Sequence, residues 1–349
     1  MALSKNNFLD HVRLLREAVL DQGGEFLIAG DSLQVLLRQG TAHWTLYPQF
    51  MATIDGVRQY TTQLVPEAQN FAGWLPYRNR RWRLASDKLA FKNFVASVGL
   101  KTPEFSFNAD AELNDVVVKR AESSFGEQVH GPYRSSKERP IDLAQGEFYE
   151  RFIEGRILKI WYWNDQPICT ELDPMPAIKG DGISTIGDMI VRRAALSRRQ
   201  SDQDKERLLM RCAALLKFYG VTASTLLPAN QRQIIEFRYG TDLMHSRDRR
   251  LLDLRTANDR PWFPELYTIG EKLYGTIPNN VRNGTIFTVD AILDAQQDVW
   301  LLEMNSNPQV HPLVYPRMIA DLIPATPDNA TPIAVSQLPG QSPNPLQSA

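Results

Sequence analysis

Asp290, Glu303 and Asn305 fall in one stretch, TVDAILDAQQDVWLLEMN at 288–305, and offer two carboxylates and an amide oxygen. Such hard donors suit a magnesium ion that keeps several waters and takes its remaining ligands from a nucleotide. The three can meet only if the stretch folds back on itself. IFTVDAIL and VWLLEMN are rich in apolar and β-branched residues, and the polar DAQQD between them is turn chemistry, so a hairpin is predicted. A turn centred on Gln296 and Gln297 sets Asp290 directly across from Glu303, where cross-strand neighbours share a face. Asn305 follows Glu303 by two residues and stays on that face. A solvated hairpin face could carry the same residues, so the segments upstream matter.

Four of those segments have recognisable chemistry. Residues 84–103 predict a helix in which Ser86 caps, Phe91, Phe94, Val95 and Val98 form the apolar stripe, and Gly99 ends the helix before Pro103. Taken alone this is a capped helix with Lys88 in solvent. DVVVKRAESSFG is an apolar run consistent with a buried strand that delivers Lys119 to the start of a Ser/Gly loop. GEFYERFIEGRILKIWYW supplies a short turn-flanked segment and a long strand, with Glu150 and Glu154 around it. PAIKGDGISTIGDMI has a Gly-Asp-Gly turn followed by a Ser/Thr helix start.

In this order, DK at 87 and 88, VVVK ending at Lys119, ERFIEG at 150–155 and VDAIL followed by LEMN resemble the ATP-grasp superfamily of carboxylate-amine ligases. MPAIKGDGISTIGDMI is similar to the PA-x-V-x-GDG-x-STI-x-x-LI run of cyanophycin synthetase and of the ligase half of bifunctional glutathione synthetases. STLLPANQRQIIEFRYGTDL is similar to their Arg-bearing strand, and the resemblance covers residues 85–325. It implies an α/β (α+β) chain with the ATP-grasp fold, two α+β subdomains gripping ATP behind a small α/β N-terminal domain. It also implies that a substrate carboxylate attacks the γ-phosphate of ATP, giving an acyl phosphate that an amine opens with release of ADP and phosphate.

On this resemblance Asp290, Glu303 and Asn305 match magnesium ligands, with Glu303 bridging two ions, and manganese could serve in their place. Lys88 and Lys119 match phosphate-contacting lysines. Arg238, on the strand IIEFR, matches an arginine that stabilises the γ-phosphate or the tetrahedral intermediate, so Arg238 and Lys88 are the catalytic candidates. Glu150, Phe152 and Ile153 match a hinge that recognises adenine, and Gly126 the loop that covers the phosphates.

The chain also departs from the pattern. After Lys119 the loop offers only Gly126 and Gly131, and fewer glycines approach phosphates less freely. Ile157 stands where a ribose-binding acid is expected, so either Glu154 substitutes or the ribose contact is lost. ELDPMPA lacks a basic residue before the GDG run, with Lys179 the nearest candidate; Asp242 replaces an asparagine, and Ser306, Asn307, Pro308 and Gln309 replace a small-Pro-Gly.

At 349 residues the chain suits two or three domains, expected at 1–85, 86–150, 151–325 and, as a dispensable Pro/Ser/Asn/Gln-rich tail, 326–349. A net charge of -1 and a hydrophobic fraction of 43% give no sign of bulk nucleic-acid attraction, and no apolar run approaches the ~20 residues of a membrane span. Cys169 and Cys212 form no CxxC pattern and read as buried thiols of a reducing, cytoplasmic compartment. Among five histidines no metal spacing recurs, although His311 and His130 could reach an active site.

Before residue 85, FLDHVRLLREAVL reads as a helix with Phe8, Val12, Leu15 and Val19 on one face, followed by strands around EFLIAG, HWTLYPQF and VRQYTTQLV, with DG at 55 and 56 as a turn. GWLPYRNRRWRLAS could bind a phosphate, an acidic substrate or single-stranded nucleic acid by stacking. It could equally be a linker whose tryptophans pin domains together. Residues 192–219 read as a polar turn and a charged amphipathic helix, a lid or packing element.

The expected activity is ATP-dependent joining of a carboxylate to an amine, with an amino acid or short peptide as substrate. The expected partners are small molecules, with neither nucleic acid nor membrane, and related enzymes are commonly homo-oligomers. Two alternatives stand beside it: a regulatory nucleotide-binding protein, suggested by the glycine-poor loop and Ile157, and a grasp-fold kinase that stops at phosphoryl transfer.

Overall fold

Apolar residues at helical spacing form α1 (Phe8–Asp21), whose N-cap Asn7 accepts the Leu9 N–H. In the computed structural model, which describes residues 7–121, 129–195, 201–239, 241, 243–245, 250–254 and 259–323, five strands follow. These are β1 (Glu25–Ile28), β2 (Val35–Gln39), β3 (Ala42–Ile54), β4 (Val57–Thr61) and β5 (Ala68–Leu75). They pair antiparallel in the order β1-β2-β3-β4, with β5 on β3. Asp55 and Gly56 take φ of 52° and 76° in the turn between β3 and β4, as an Asp-Gly hairpin demands.

α2 (Lys88–Ser97) comes next, then β6 (Phe105–Ser106), β7 (Asn114–Arg120), β8 (Val129–Ser135) and β9 (Glu147–Arg151). The cap of α2 is Asp87, which accepts the Ala90 N–H at 2.9 Å, and not Ser86, whose hydroxyl turns back to the carbonyls of Trp82 and Arg83. A carboxylate one residue nearer the helix is the stronger acceptor for its free N–H groups. The four strands form an antiparallel sheet in the order β6-β9-β7-β8, so the segment around Glu150 is itself a strand.

A second half follows: β10 (Arg156–Trp163), β11 (Gln166–Pro174), β12 (Ala177–Lys179), α3 (Ile186–Ala195), α4 (Asp202–Phe218), β13 (Arg232–Ile234), β14 (Leu251–Asp253), α5 (Phe263–Tyr274), α6 (Asn279–Arg282), β15 (Ile286–Leu293), β16 (Val299–Asn305) and α7 (Tyr315–Leu322). α4 opens on a Ser201/Asp204 capping box. β14-β11-β10-β15-β16 form an antiparallel sheet, and β12 pairs with β13 apart from it. The whole is an α+β fold with several antiparallel sheets. No helix among the described residues is long and apolar enough to cross a membrane.

Alternation divides the two faces of the five-stranded sheet containing β10 and β15. Leu158, Ile160, Tyr162, Phe287, Val289 and Ala291 point one way, into a core completed by Phe91 and Val95 of α2 and by Leu266 and Ile269 of α5. The opposite face is shared. At one end Trp161, Trp163 and Ile286 are covered by α1, the N-terminal sheet and α7. At the other end lie Ile157 and Ile292, with Lys159 and Asp290 between the two apolar ends. Closing off half of a sheet face leaves the other half as the floor of a cleft.

The covered end is tightly specified. His11 Nδ1 lies 2.7 Å from Tyr315 Oη, which also accepts the Trp74 N–H at 3.0 Å. Val310 donates its N–H to Ala72 at 2.8 Å, and Gly73, with φ of 108°, lets that segment approach. A Cβ on Gly73 would sit 2.5 Å from Val310 Cβ. Gly73→Ala should therefore cost about 2–3 kcal/mol, seen as a lower urea midpoint. An unchanged midpoint would mean that the close approach contributes nothing to stability.

Candidate active site

β15 and β16 set Asp290 opposite Glu303 and Thr288 opposite Asn305, so the three predicted metal-binding residues share the cleft face. The route to that register differs from the sequence reading. The hairpin register is one residue short of that expected, with the turn centred on Gln296, because Ala291 pairs with Leu301 and Ile292 with Trp300. A β-bulge at Leu302 then advances the pairing by one residue. Without it Asp290 would face Leu302; with it, Leu302 can join the apolar cleft cluster while Glu303 still reaches Asp290.

Lysines surround these carboxylates. Lys88 at the start of α2 is 3.2 Å from Glu303 Oε2, and Lys159 on β10 donates to Asp290 Oδ1 at 2.6 Å. Asn305 Nδ2 donates to Asp290 Oδ2 at 3.1 Å. Burial and the nearby Glu303 charge raise the Asp290 carboxyl against the pull of Lys159. Burial would raise Glu303 as well, but Lys88 and Lys119 outweigh it and hold that carboxyl down at about 2. Two carboxylates and an amide oxygen on one sheet face are a donor set that fits a divalent cation.

One turn beyond Lys88, Lys92 is buried and pairs with Glu150, which is also paired by Lys119. Glu150 therefore enters the site through its side chain as an anchor for two lysines. Burial pushes its carboxyl up, yet the two ammonium groups bring the balance below its ordinary value. Burial lowers Lys92 against the opposing attraction of Glu150. Lys119 keeps 14% of its side chain exposed and Lys92 1%, so Lys119 alone of the pair opens to the cleft.

The apolar half of the cleft gathers Phe152 and Ile153 from the hinge with Met175, Met244, Ile292 and Leu302. Phe152 meets Phe218 and Phe237 edge-on at 5.4 Å. Such walls can enclose a flat heterocycle. Ile157 is buried in the same cluster, while Glu154 accepts the Tyr219 hydroxyl at 2.7 Å.

Several predicted residues land differently. The expected Arg-bearing strand is shorter than predicted: β13 ends at Ile234, and Arg238 lies beyond it. Its guanidinium contacts Glu236 Oε1 (2.9 Å), Val129 O (3.4 Å) and Arg211 O (2.8 Å), which places it at the foot of the loop after Lys119. Gly126 of that loop, Asp242 and the tail from 326 lie outside the described residues. His311 is buried and accepts the Leu313 N–H, a structural role that removes it as an active-site candidate. Asp181 of the GDG turn caps Ile183 N and Ser184 N at 3.0 and 2.7 Å, and these bonds, led by the Ser184 hydroxyl, hold its carboxyl well below the usual range.

The Arg/Trp stretch behaves as a linker. Trp74 and Trp82 are buried in two different cores, and Arg80 donates to the carbonyls of Val281 and Asn283 while its N–H reaches Asn307 Oδ1. Sequence reasoning missed Lys92 and Lys159. Each is a lysine in phase with apolar residues, Phe91 and Val95 around one, Ile157 and Trp161 around the other, and that phase was the available signal.

No protein-family model matches the chain, and neither does any curated protein. Among solved structures it is similar to a bifunctional glutathione synthetase from Pasteurella multocida, at 14% identity and a TM-score of 0.42 over 92% of this chain and 44% of that one. A D-alanine–D-alanine ligase from Bacillus anthracis is similar at 10% identity and a TM-score of 0.35, over 69% of this chain and 67% of that one. An N5-carboxyaminoimidazole ribonucleotide synthetase from Thermotoga maritima gives 11%, 0.33, 70% and 51%. The chain thus spans less than half of the glutathione synthetase, and at TM-scores below 0.5 these likenesses carry no argument about what it does.

Lys92→Met would leave buried Glu150 with Lys119 as its only lysine partner. Removing one partner of a buried ion pair should cost about 3 kcal/mol, read by urea unfolding, and should tie Lys119 to Glu150. A stability loss below about 1 kcal/mol would show that Glu150 does not depend on Lys92.

Proposed function

We propose that this chain is an ATP-dependent carboxylate-amine ligase of the ATP-grasp type, with amino acids or short peptides as substrates. The observation that carries the reading is the meeting, at one cleft, of Asp290, Glu303 and Asn305 with Lys88 and Lys119 from two other elements, beside the apolar wall of Phe152, Ile153 and Leu302. The ordered motifs from Lys88 to Asn305 support it independently.

The residues divide the work as follows. Phe152, Ile153, Met175 and Leu302 enclose adenine and exclude water from its faces. Lys119 leaves Glu150 for the phosphates, and Lys92 stays behind so that the buried carboxylate is never unpaired. Lys88 turns from Glu303 to the transferring phosphoryl group as a point charge. Bound magnesium, held by Glu303 and the Asn305 carbonyl oxygen beside Asp290, would neutralise phosphate charge. An oxygen of the substrate carboxylate attacks the γ-phosphorus as its bond to the ADP oxygen breaks. The amine nitrogen then attacks the carbonyl carbon of the acyl phosphate, phosphate departs and the nitrogen loses a proton. Catalysis of such transfers rests on positioning and charge.

The test is ADP and phosphate release from Mg-ATP with pooled amino acids and dipeptides, with mass spectrometry of the products. Release that requires both an acid and an amine, with a product one water lighter than their sum, is expected. Release without an amine, with a lasting phosphorylated product, would favour a kinase instead. Glu303→Ala should lower turnover by about 100-fold or more while the fold persists; near-normal turnover would remove the metal role. Lys119→Ala should weaken nucleotide binding about tenfold, and unchanged affinity would make it an ordinary strand-end residue.

A further inference from the structure

Lys159 sits where a cation would otherwise approach Asp290. Its Nζ is 2.6 Å from Asp290 Oδ1, and only 12% of the side chain is exposed. The ammonium lies 5.8 Å from the Trp161 ring centre and 5.3 Å from that of Tyr239, and the Tyr239 hydroxyl is fixed on Glu171 at 2.7 Å. Asp290 Oδ2 meanwhile receives the Asn305 amide. Glu303 differs in contact more than in exposure: its partner Lys88 stands at 3.2 Å against 2.6 Å for Lys159 on Asp290, and the two carboxylate side chains are 27% and 22% exposed. Asp290 thus already shares its charge with a fixed cation, whereas Glu303 and the Asn305 carbonyl oxygen remain to meet an incoming one.

We propose that this cleft takes one divalent cation with its nucleotide, not two, and that the Lys159 ammonium stands permanently in the place of the second. The proposal rests on the nucleotide-binding reading above. A second ion on Asp290 would have to share the carboxylate with an ammonium already at hydrogen-bond distance, and two cations so close repel strongly in a buried site. Displacing Lys159 would strand a buried ammonium between two aromatic rings. An alternative berth is Glu171, its cross-strand neighbour on β11, and the Tyr239 hydroxyl already occupies one of that carboxylate's oxygens.

The experiment counts Mn²⁺ bound to the full chain in the presence of one equivalent of the non-hydrolysable analogue AMP-PCP, from the loss of the free Mn²⁺ electron paramagnetic resonance signal. Wild type should bind one Mn²⁺ per chain, Lys159→Met two, and Lys159→Arg, which keeps the charge, one. Two ions on wild type would overturn the proposal and leave the ligase reading intact, with Lys159 moving to Glu171. One ion on both wild type and Lys159→Met would also overturn it, since the lysine would then exclude nothing. Failure to bind AMP-PCP or Mn²⁺ at all would overturn both readings. Should Lys159→Met fail to fold, as judged by circular dichroism, the wild-type and Lys159→Arg counts still decide, two ions on either one refuting the proposal.

Discussion

Glu150 belongs to the four-stranded sheet and Glu303 to the five-stranded one, and a carboxylate removed from water needs a cation beside it. One helix supplies both. Lys88 and Lys92 are a single turn apart on α2, so the spacing of a helix sets the spacing of two carboxylates on separate sheets. Because α2 also buries Phe91 and Val95 beneath the five-stranded sheet, its rotation about its own axis is fixed by packing. The charge pattern of the cleft is therefore set by a hydrophobic stripe that runs beside the two lysines on the same helix.

Much of this was legible in the sequence, and the parts that were not share a cause. The hairpin, the Asp-Gly turn and the stripe of α2 are local patterns, and local rules find them. The Leu302 bulge is not local: it reconciles a hairpin register one residue short with a face that must hold Glu303. Lys92 and Lys159 escaped notice because a lysine inside an apolar pattern is tolerated only with a partner, and their partners, Glu150 and Asp290, come from distant segments. The shortening of the Arg238 strand has a similar origin, since Glu236 folds back on the Phe237 and Arg238 N–H groups that a sheet partner would otherwise take.

The linker at 74–86 shows how composition can mislead. Its arginines and aromatics read as a binding surface, yet Trp74 and Trp82 fill two cores and Arg80 spends its hydrogen bonds on backbone carbonyls near α6. Asn307, two residues past Asn305, closes the same junction by donating to Arg80 O at 2.6 Å. β16 and the linker are thus held in register with each other.

The close approach of Gly73 to Val310 joins parts of the chain that are far apart in sequence. α1 and the N-terminal sheet share one core with Trp161 and Trp163 of β10, Ile286 of β15 and α7, so the segment up to β5 buries its apolar face against residues made well after it. Long-range pairing of this kind closes the largest loop the chain has and slows folding. On the ribosome the N-terminal sheet, covered in part by α1, waits for the rest of that core, an interval in which a holding chaperone would have something to grip.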